Sequence, residues 1–332
     1  MYNNIDQLLS NPEWIKSVSD ENFEKIACTI FQYQYTNNEI YKRYVDAIHI
    51  NPNSVKLLSD IPFLPIHFFK THKVISGPLK ATFHFESSGT TQTINAKHWV
   101  QDSKFYETAF IHGFELAYGS ISDYIIMGLL PNYLEKGNSS LVYMVNHLIS
   151  ASQHPLSGFY LHDYETLYNN LKLAQATQKK VILFGVTFAL LDFAEQYAHN
   201  FSNIIIMETG GMKGRREEWT KSQVHEYLKK QLHTEHIHSE YGMTELFSQG
   251  YSTQNEIFIP SPTLKVRIRE IYDPLSSHVV GKGALNIIDL ANIHSCSFIA
   301  TEDLGQVYDN GNFKVLGRMD QSALRGCSLL AL

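Results

Sequence analysis

At 332 residues, with 44% hydrophobic and 12% aromatic content, the chain has ample apolar surface for a large core, which excludes a mainly disordered protein. The formal net charge of −6 argues against a nucleic acid or an anionic membrane as the principal partner. Cys28, Cys296 and Cys327 form no paired spacing and the histidines no HExxH motif; together with the absence of a signal-like N-terminus and of a stretch long enough to span a bilayer, this predicts a cytoplasmic protein without a disulfide framework.

Residues 1–49 read as helical, with Phe23, Ile26, Ala27, Ile30 and Phe31 at i, i+3, i+4, i+7 and i+8 on one face. The run Pro62-Phe63-Leu64-Pro65-Ile66-His67-Phe68-Phe69-Lys70 is too proline-rich for a helix and predicts an extended connector with an aromatic end. From about Lys80 to Thr253, strand candidates at 83–86, 124–130, 181–184, 204–207 and 236–240 alternate with helical stretches. Phe105, Ala109, His112 and Leu116 share one helix face; Leu141, Met144, Val145 and Leu148 share another; residues 217–232 form a third helix. Such alternation predicts an α/β protein with parallel strands and helices packed on the faces. From about Ile257 the pattern is β-rich: Leu264 to Arg269 alternates with period two, Gly281-Lys282-Gly283 reads as a turn, and a last strand covers 313–316. The expected organisation is a helical region and connector (1–79), an α/β nucleotide-binding region (80–255) and a β-rich region (256–332).

Five short motifs carry chemistry. Ser87-Ser88-Gly89-Thr90-Thr91 gathers hydroxyls and uncovered N–H groups in one tight turn, a surface suited to phosphates; it is also the composition of an ordinary polar turn. Met207-Glu208-Thr209-Gly210-Gly211-Met212 lets backbone approach a planar ligand. In Tyr241-Gly242-Met243-Thr244-Glu245, Tyr241 offers a ring to a base, Gly242 a tight turn, Thr244 a hydroxyl to phosphate and Glu245 a hard oxygen for Mg²⁺. Asp303 in Ala300-Thr301-Glu302-Asp303-Leu304-Gly305 can accept from ribose hydroxyls, or be a β-turn aspartate. Arg318 in Gly317-Arg318-Met319-Asp320 can meet ribose or phosphate, or form a surface salt bridge.

In this order and at these spacings the five motifs resemble the adenylate-forming superfamily of acyl-CoA ligases, luciferases and peptide-synthetase adenylation domains. Within it, Pro62 to Lys70 and the ending Arg325-Gly326-Cys327-Ser328-Leu329 are most similar to the acyl-protein synthetase family, the ligase component of the bacterial luminescence fatty acid reductase. The resemblance covers nearly the whole chain beyond the first helices. It implies the fold of the superfamily's N-terminal domain, parallel sheets with packed helices followed by a small β-rich unit, with the mobile C-terminal domain and its catalytic lysine absent.

The resemblance also implies roles. Ser87, Ser88, Gly89, Thr90 and Thr91 would hold the β- and γ-phosphates of ATP; Gly210, Gly211, Tyr241 and Gly242 would enclose adenine. Thr244 would touch the α-phosphate, Glu245 would hold Mg²⁺, Asp303 would bind ribose and Arg318 would assist. The implied reaction turns a carboxylic acid, fatty in this branch, into an acyl-adenylate, then passes the acyl group to Cys327 and on to a partner such as a reductase or a carrier protein. CoA as acceptor, with a domain supplied in trans, and a nucleotide-binding subunit without turnover are the competing expectations. Residues 181–191 and the aromatic end of 62–70 are candidate walls for an apolar tail. Two departures stand out: Gln92 occupies a position usually held by glycine, with no lysine close behind, and Thr301-Glu302-Asp303 replaces the usual Thr-Gly-Asp.

Overall fold

The computed structural model describes residues 4–78, 80–81, 83–87, 94–130, 138–210 and 219–319. The chain opens with helices α1 (Ile5–Ser10), α2 (Asp20–Asn37) and α3 (Glu39–Ala47). The face expected for α2 is the one it buries: Phe23, Ile26, Ala27, Ile30 and Phe31 are all in the core. Each large side chain among them stabilises the fold by about 1.5–3 kcal/mol. Gln34, at the end of that face, donates to the carbonyls of Asn292 and Ile293 at 3.0 Å and accepts from the Ser297 amide at 3.0 Å. The first helices are thereby fastened to the C-terminal strands.

The proline-rich run is extended only in part. It contains β1 (Leu64–Pro65) and then one helical turn, α4 (Phe68–Thr71), because the last proline is Pro65 and nothing after it forbids helical backbone. A hairpin follows: β2 (Phe83–Glu86) and β3 (Lys97–Val100) pair antiparallel as a separate two-stranded sheet. The strand at 83–86 is where the sequence places it, but it is not part of the parallel array. Its neighbour in sequence is another strand rather than a helix, so no crossover carries it into the main sheet.

The main array is built from α5 (Ser103–Tyr118), β4 (Tyr124–Leu129), α6 (Ser140–Ser152), β5 (Gly158–Phe159), α7 (Tyr164–Gln175), β6 (Lys180–Val186), α8 (Thr187–Gln196), β7 (Ile204–Thr209), α9 (Lys221–Leu232), β8 (Ile237–Tyr241), β9 (Gly250–Ser252) and β10 (Ile259–Pro260). Its strand order is β10-β9-β8-β7-β6-β4-β5, parallel from β5 through β8 and antiparallel beyond. β4 is buried along its whole length and β6 along all but its first residue, as continuous apolar runs covered on both faces should be. In α5 the buried stripe is Phe105, Tyr106, Ala109, Phe110, Gly113 and Phe114, while Leu116 is 59% exposed. The expected face through His112 and Leu116 is displaced because the rings of Phe247 and Tyr251 pack on the Tyr106 and Phe114 side. Residues 181–191, candidate walls of an acyl pocket, form the interior of β6 and the start of α8, and are core.

The C-terminal sheet contains β11 (Leu264–Arg269), β12 (Gly281–Asp289), β13 (Phe298–Val307) and β14 (Phe313–Arg318). Its order is β1-β13-β12-β11, with β14 also on β13. Gly281 to Gly283, expected as a turn, already pair with Val307 to Gly305 inside β12. Asp303 lies within β13, opposite Arg318 of β14, rather than in a turn. The strand ladder sets its position, so glutamate in place of the usual glycine before it needs no special backbone. Among the described residues no helix is long and apolar enough to cross a membrane.

Candidate functional site

The site is assembled outside the carboxyl ends of the parallel strands β7 and β8, where open α/β sheets present their ligand crevices. Thr209 ends β7 opposite Glu240 of β8, and its hydroxyl donates to Glu240 Oε2 at 2.6 Å. Gly210 follows with φ +81°, a left-handed conformation that glycine adopts without a Cβ penalty. Glu240 is buried, and desolvation pushes its pKa up to about 7. Its Oε1 lies 2.3 Å from where a Cβ on residue 242 would stand, so the glycine of Tyr241-Gly242-Met243 makes room for a buried carboxyl. Nothing in the motif announced that carboxyl.

Tyr241, at the end of β8, turns its phenol toward the C-terminal sheet and donates to Asp303 Oδ2 at 2.9 Å. Phe313 meets the Tyr241 ring edge-on at 5.1 Å between centroids. The other Asp303 oxygen lies 3.4 Å from Arg318 Nε, and the Arg318 side chain is 77% exposed. Burial raises the Asp303 pKa, and Arg318 and the Tyr241 hydroxyl oppose that rise. The structure therefore brings three of the expected residues, Tyr241, Asp303 and Arg318, into one hydrogen-bonded and ion-paired row.

Glu245 lies in the turn beyond Tyr241 and is buried. Its backbone carbonyl accepts from Asn292 Nδ2 at 2.7 Å. Asp289 secures Phe247 and Ser248 just beyond it, accepting from their amides at 2.6 Å and 3.0 Å. The Glu245 carboxyl has no cation within ion-pair distance among the described residues, and burial pushes its pKa up to about 7, eased by the charge of Arg318. A buried carboxylate lacking a counter-charge fits a hard divalent cation. No three His, Cys, Asp or Glu gather as a metal cage among the described residues.

Thr244 is held by a residue that sequence reasoning missed. His98 of β3 is fully buried, and its Nδ1 lies 2.9 Å from the Thr244 carbonyl. The carbonyl can only accept, so Nδ1 carries the proton. Burial lowers the His98 pKa to about 4, and the ring stacks on Phe247 at 4.6 Å. The β2–β3 hairpin, at whose tip Ser87 lies, is thus fastened to the Thr244–Glu245 turn. Within the hairpin, Ser87 Oγ accepts from the Ala96 amide at 2.8 Å. Ser88, Gly89, Thr90, Thr91, Gly211 and Cys327 lie outside the described residues. His238, within β8, has its Nδ1 3.1 Å from the Tyr118 hydroxyl. Only long-range packing reveals His98, since Lys97-His98-Trp99-Val100 by itself is an unremarked strand.

No protein-family model matches the chain, and no curated protein matches it by sequence. Solved structures do match. A 2-hydroxyisobutyryl-CoA ligase in the postadenylation state, in complex with R3-HIB-AMP, aligns with a TM-score of 0.67 at 11% identity, over 91% of this chain and 68% of that one. ATP-bound MatB from Rhodopseudomonas palustris aligns with a TM-score of 0.52 at 12% identity, over 74% of this chain and 49% of that one. A long-chain-fatty-acid-CoA ligase from Archaeoglobus fulgidus gives 0.50 at 16% identity, over 72% and 52%. The aligned part is about half the length of the last two. These neighbours are members of the adenylate-forming acyl-CoA ligase superfamily, and this chain has the fold of their N-terminal domain.

Proposed function

We propose that the chain activates a carboxylic acid with ATP, forming an acyl-adenylate and pyrophosphate, and that it works in the manner of an acyl-protein synthetase. The observation that carries the reading is the row Tyr241–Asp303–Arg318 beside the buried Glu245, set at the carboxyl ends of β7 and β8 in a fold of this class. On this reading residues 80–255 hold the acid, adenine and phosphates, and residues 256–332 close over the ribose.

Asp303 accepts from the ribose hydroxyls, with Tyr241 and Arg318 keeping its carboxylate oriented. Gly210, Gly211, Tyr241 and Gly242 enclose the base. Thr244 and the hydroxyl-rich Ser87–Thr91 loop donate to the phosphates. Glu245 holds Mg²⁺, which when bound supplies charge neutralisation at the phosphate oxygens. A carboxylate oxygen of the acid attacks the α-phosphorus. The new P–O bond forms as the bond to the bridging oxygen breaks, and pyrophosphate leaves with the electron pair; no proton need move. The Cys327 thiolate then attacks the acyl carbon, AMP leaves with the electron pair of the broken C–O bond, and the thioester is passed to a partner protein.

The test is ATP–pyrophosphate exchange across a panel of carboxylic acids, fatty acids first. Acid-dependent exchange is expected, and its absence with every acid, alone and with candidate acceptor proteins, would refute adenylation. Labelled acid should then leave a hydroxylamine-sensitive label on the protein that Cys327→Ser abolishes. Exchange without protein labelling, with label appearing on CoA instead, would assign CoA as the acceptor.

A further inference from the structure

We propose, on the reading above, that Lys70 is a catalytic cation of the adenylation step, its ammonium touching the phosphate chain held beside Thr244 and Glu245. The reaction brings a carboxylate to a polyanion, and positive groups fixed where charge accumulates supply much of the catalysis in such transfers. The phosphate loop has Gln92 and no lysine close behind it. Among the described residues Arg318 is the cation already seated at the site, and it faces Asp303.

Two packing constraints bring Lys70 to the same place. β1 runs parallel to β13 with Leu64 opposite Ile299 and Pro65 opposite Ala300, and the Ile66 amide donates to the Ala300 carbonyl at 2.9 Å. The chain therefore leaves β1 toward the end of β13 that carries Asp303. Phe69, fully buried in α4, sets its ring against His98 at 5.8 Å, and His98 is bonded to Thr244. The next residue, Lys70, is exposed and follows directly on that buried anchor. No carboxylate lies within ion-pair distance of Lys70 among the described residues. Its neighbour Lys73 is otherwise engaged, 4.4 Å above the Trp99 ring.

In the step itself, Lys70 donates hydrogen bonds to non-bridging phosphate oxygens while the carboxylate–phosphorus bond forms and pyrophosphate departs with the electron pair. Lys70 keeps its proton throughout. The experiment measures Mg-ATP affinity by calorimetry and exchange rates for wild type, Lys70→Ala, Lys70→Arg and, as a control removing one equal charge nearby, Lys73→Ala. Lys70→Ala is expected to lose about 100-fold in exchange and to bind Mg-ATP more weakly, Lys70→Arg to keep most of both, and Lys73→Ala to match wild type. Wild-type exchange with an unaffected Lys70→Ala, or an equal loss in Lys73→Ala, overturns the assignment and leaves adenylation standing. A wild type that binds Mg-ATP but never exchanges overturns adenylation and with it the catalytic role of Lys70, whatever the affinities of the variants. A wild type that does neither overturns both.

Discussion

Replacing Glu240 by Gln isolates the cost of a carboxyl buried beneath the motif. Burial moves its pKa from 4.5 to about 7, with Glu208 adding repulsion while the Thr209 hydroxyl and Lys221 oppose it; Tyr106, Tyr118 and Tyr251 face the same carboxyl. The folded chain thus keeps a proton that the unfolded chain releases between those two pH values. Stability from this group is fully present below about pH 4.5 and is lost as pH rises through about 7. The slope is about 1.4 kcal/mol per pH unit in that window, or about 3 kcal/mol in all. Glutamine keeps an acceptor for Thr209 and does not titrate. Urea unfolding of wild type and Glu240→Gln should therefore show the variant gaining about 2–3 kcal/mol on wild type between pH 5 and pH 8. A stability difference that is the same at both pH values would refute the reasoning.

Gly242→Ala should cost about 1–3 kcal/mol in denaturant unfolding, since its Cβ meets Glu240 Oε1 at 2.3 Å. Most of that cost should vanish in a Glu240→Ala background if the clash is the cause. Tyr241→Phe strips Asp303 of a 2.9 Å donor, and should lower stability by about 1–3 kcal/mol in the same assay; an unchanged midpoint would mean that water replaces the phenol. His98→Phe keeps the stack on Phe247 but leaves the Thr244 carbonyl without its donor. Hydrogen exchange should then report faster opening of β2 and β3, with His98→Asn, which retains a donor at that distance, closer to wild type.

What the sequence made legible was local. The five apolar positions of α2 repeat with helical spacing, and the runs that became β4, β6 and β7 could hardly be anything but buried strands. The same motifs that point to a nucleotide also end strands β8 and β14, so their positions along the chain were readable. Their company was not. Asp303 meets Tyr241 where β14, paired with β13, sets Phe313 against the Tyr241 ring and bonds it to Phe258, long-range contacts that no local pattern encodes. The hairpin of β2 and β3 had the composition of a strand and a loop, and only His98 reaching Thr244 decides which part of the site it overhangs. Glu240 looked like the last polar residue of a strand. Its burial follows from Gly242, whose missing side chain leaves the space, and from Thr209 on the neighbouring strand.

Burial raises the pKa of three carboxyls at the site, and each is opposed by different partners. Asp303 has Tyr241 on one oxygen and Arg318 near the other, so its charge is supported even though burial works against it. Glu240 has a hydroxyl donor and only the more distant help of Lys221, and stays protonated to about pH 7. Glu245 reaches the same pKa with Arg318 and Lys70 acting only from a distance. Without a bound cation Glu245 is therefore close to half-protonated near neutrality, a poor surface for repelling an incoming phosphate. A cation bound there would favour its ionised form. On the proposed function, an acid in this state would add least repulsion before a metal comes and most attraction afterwards, the electrostatic order that joining two anions requires.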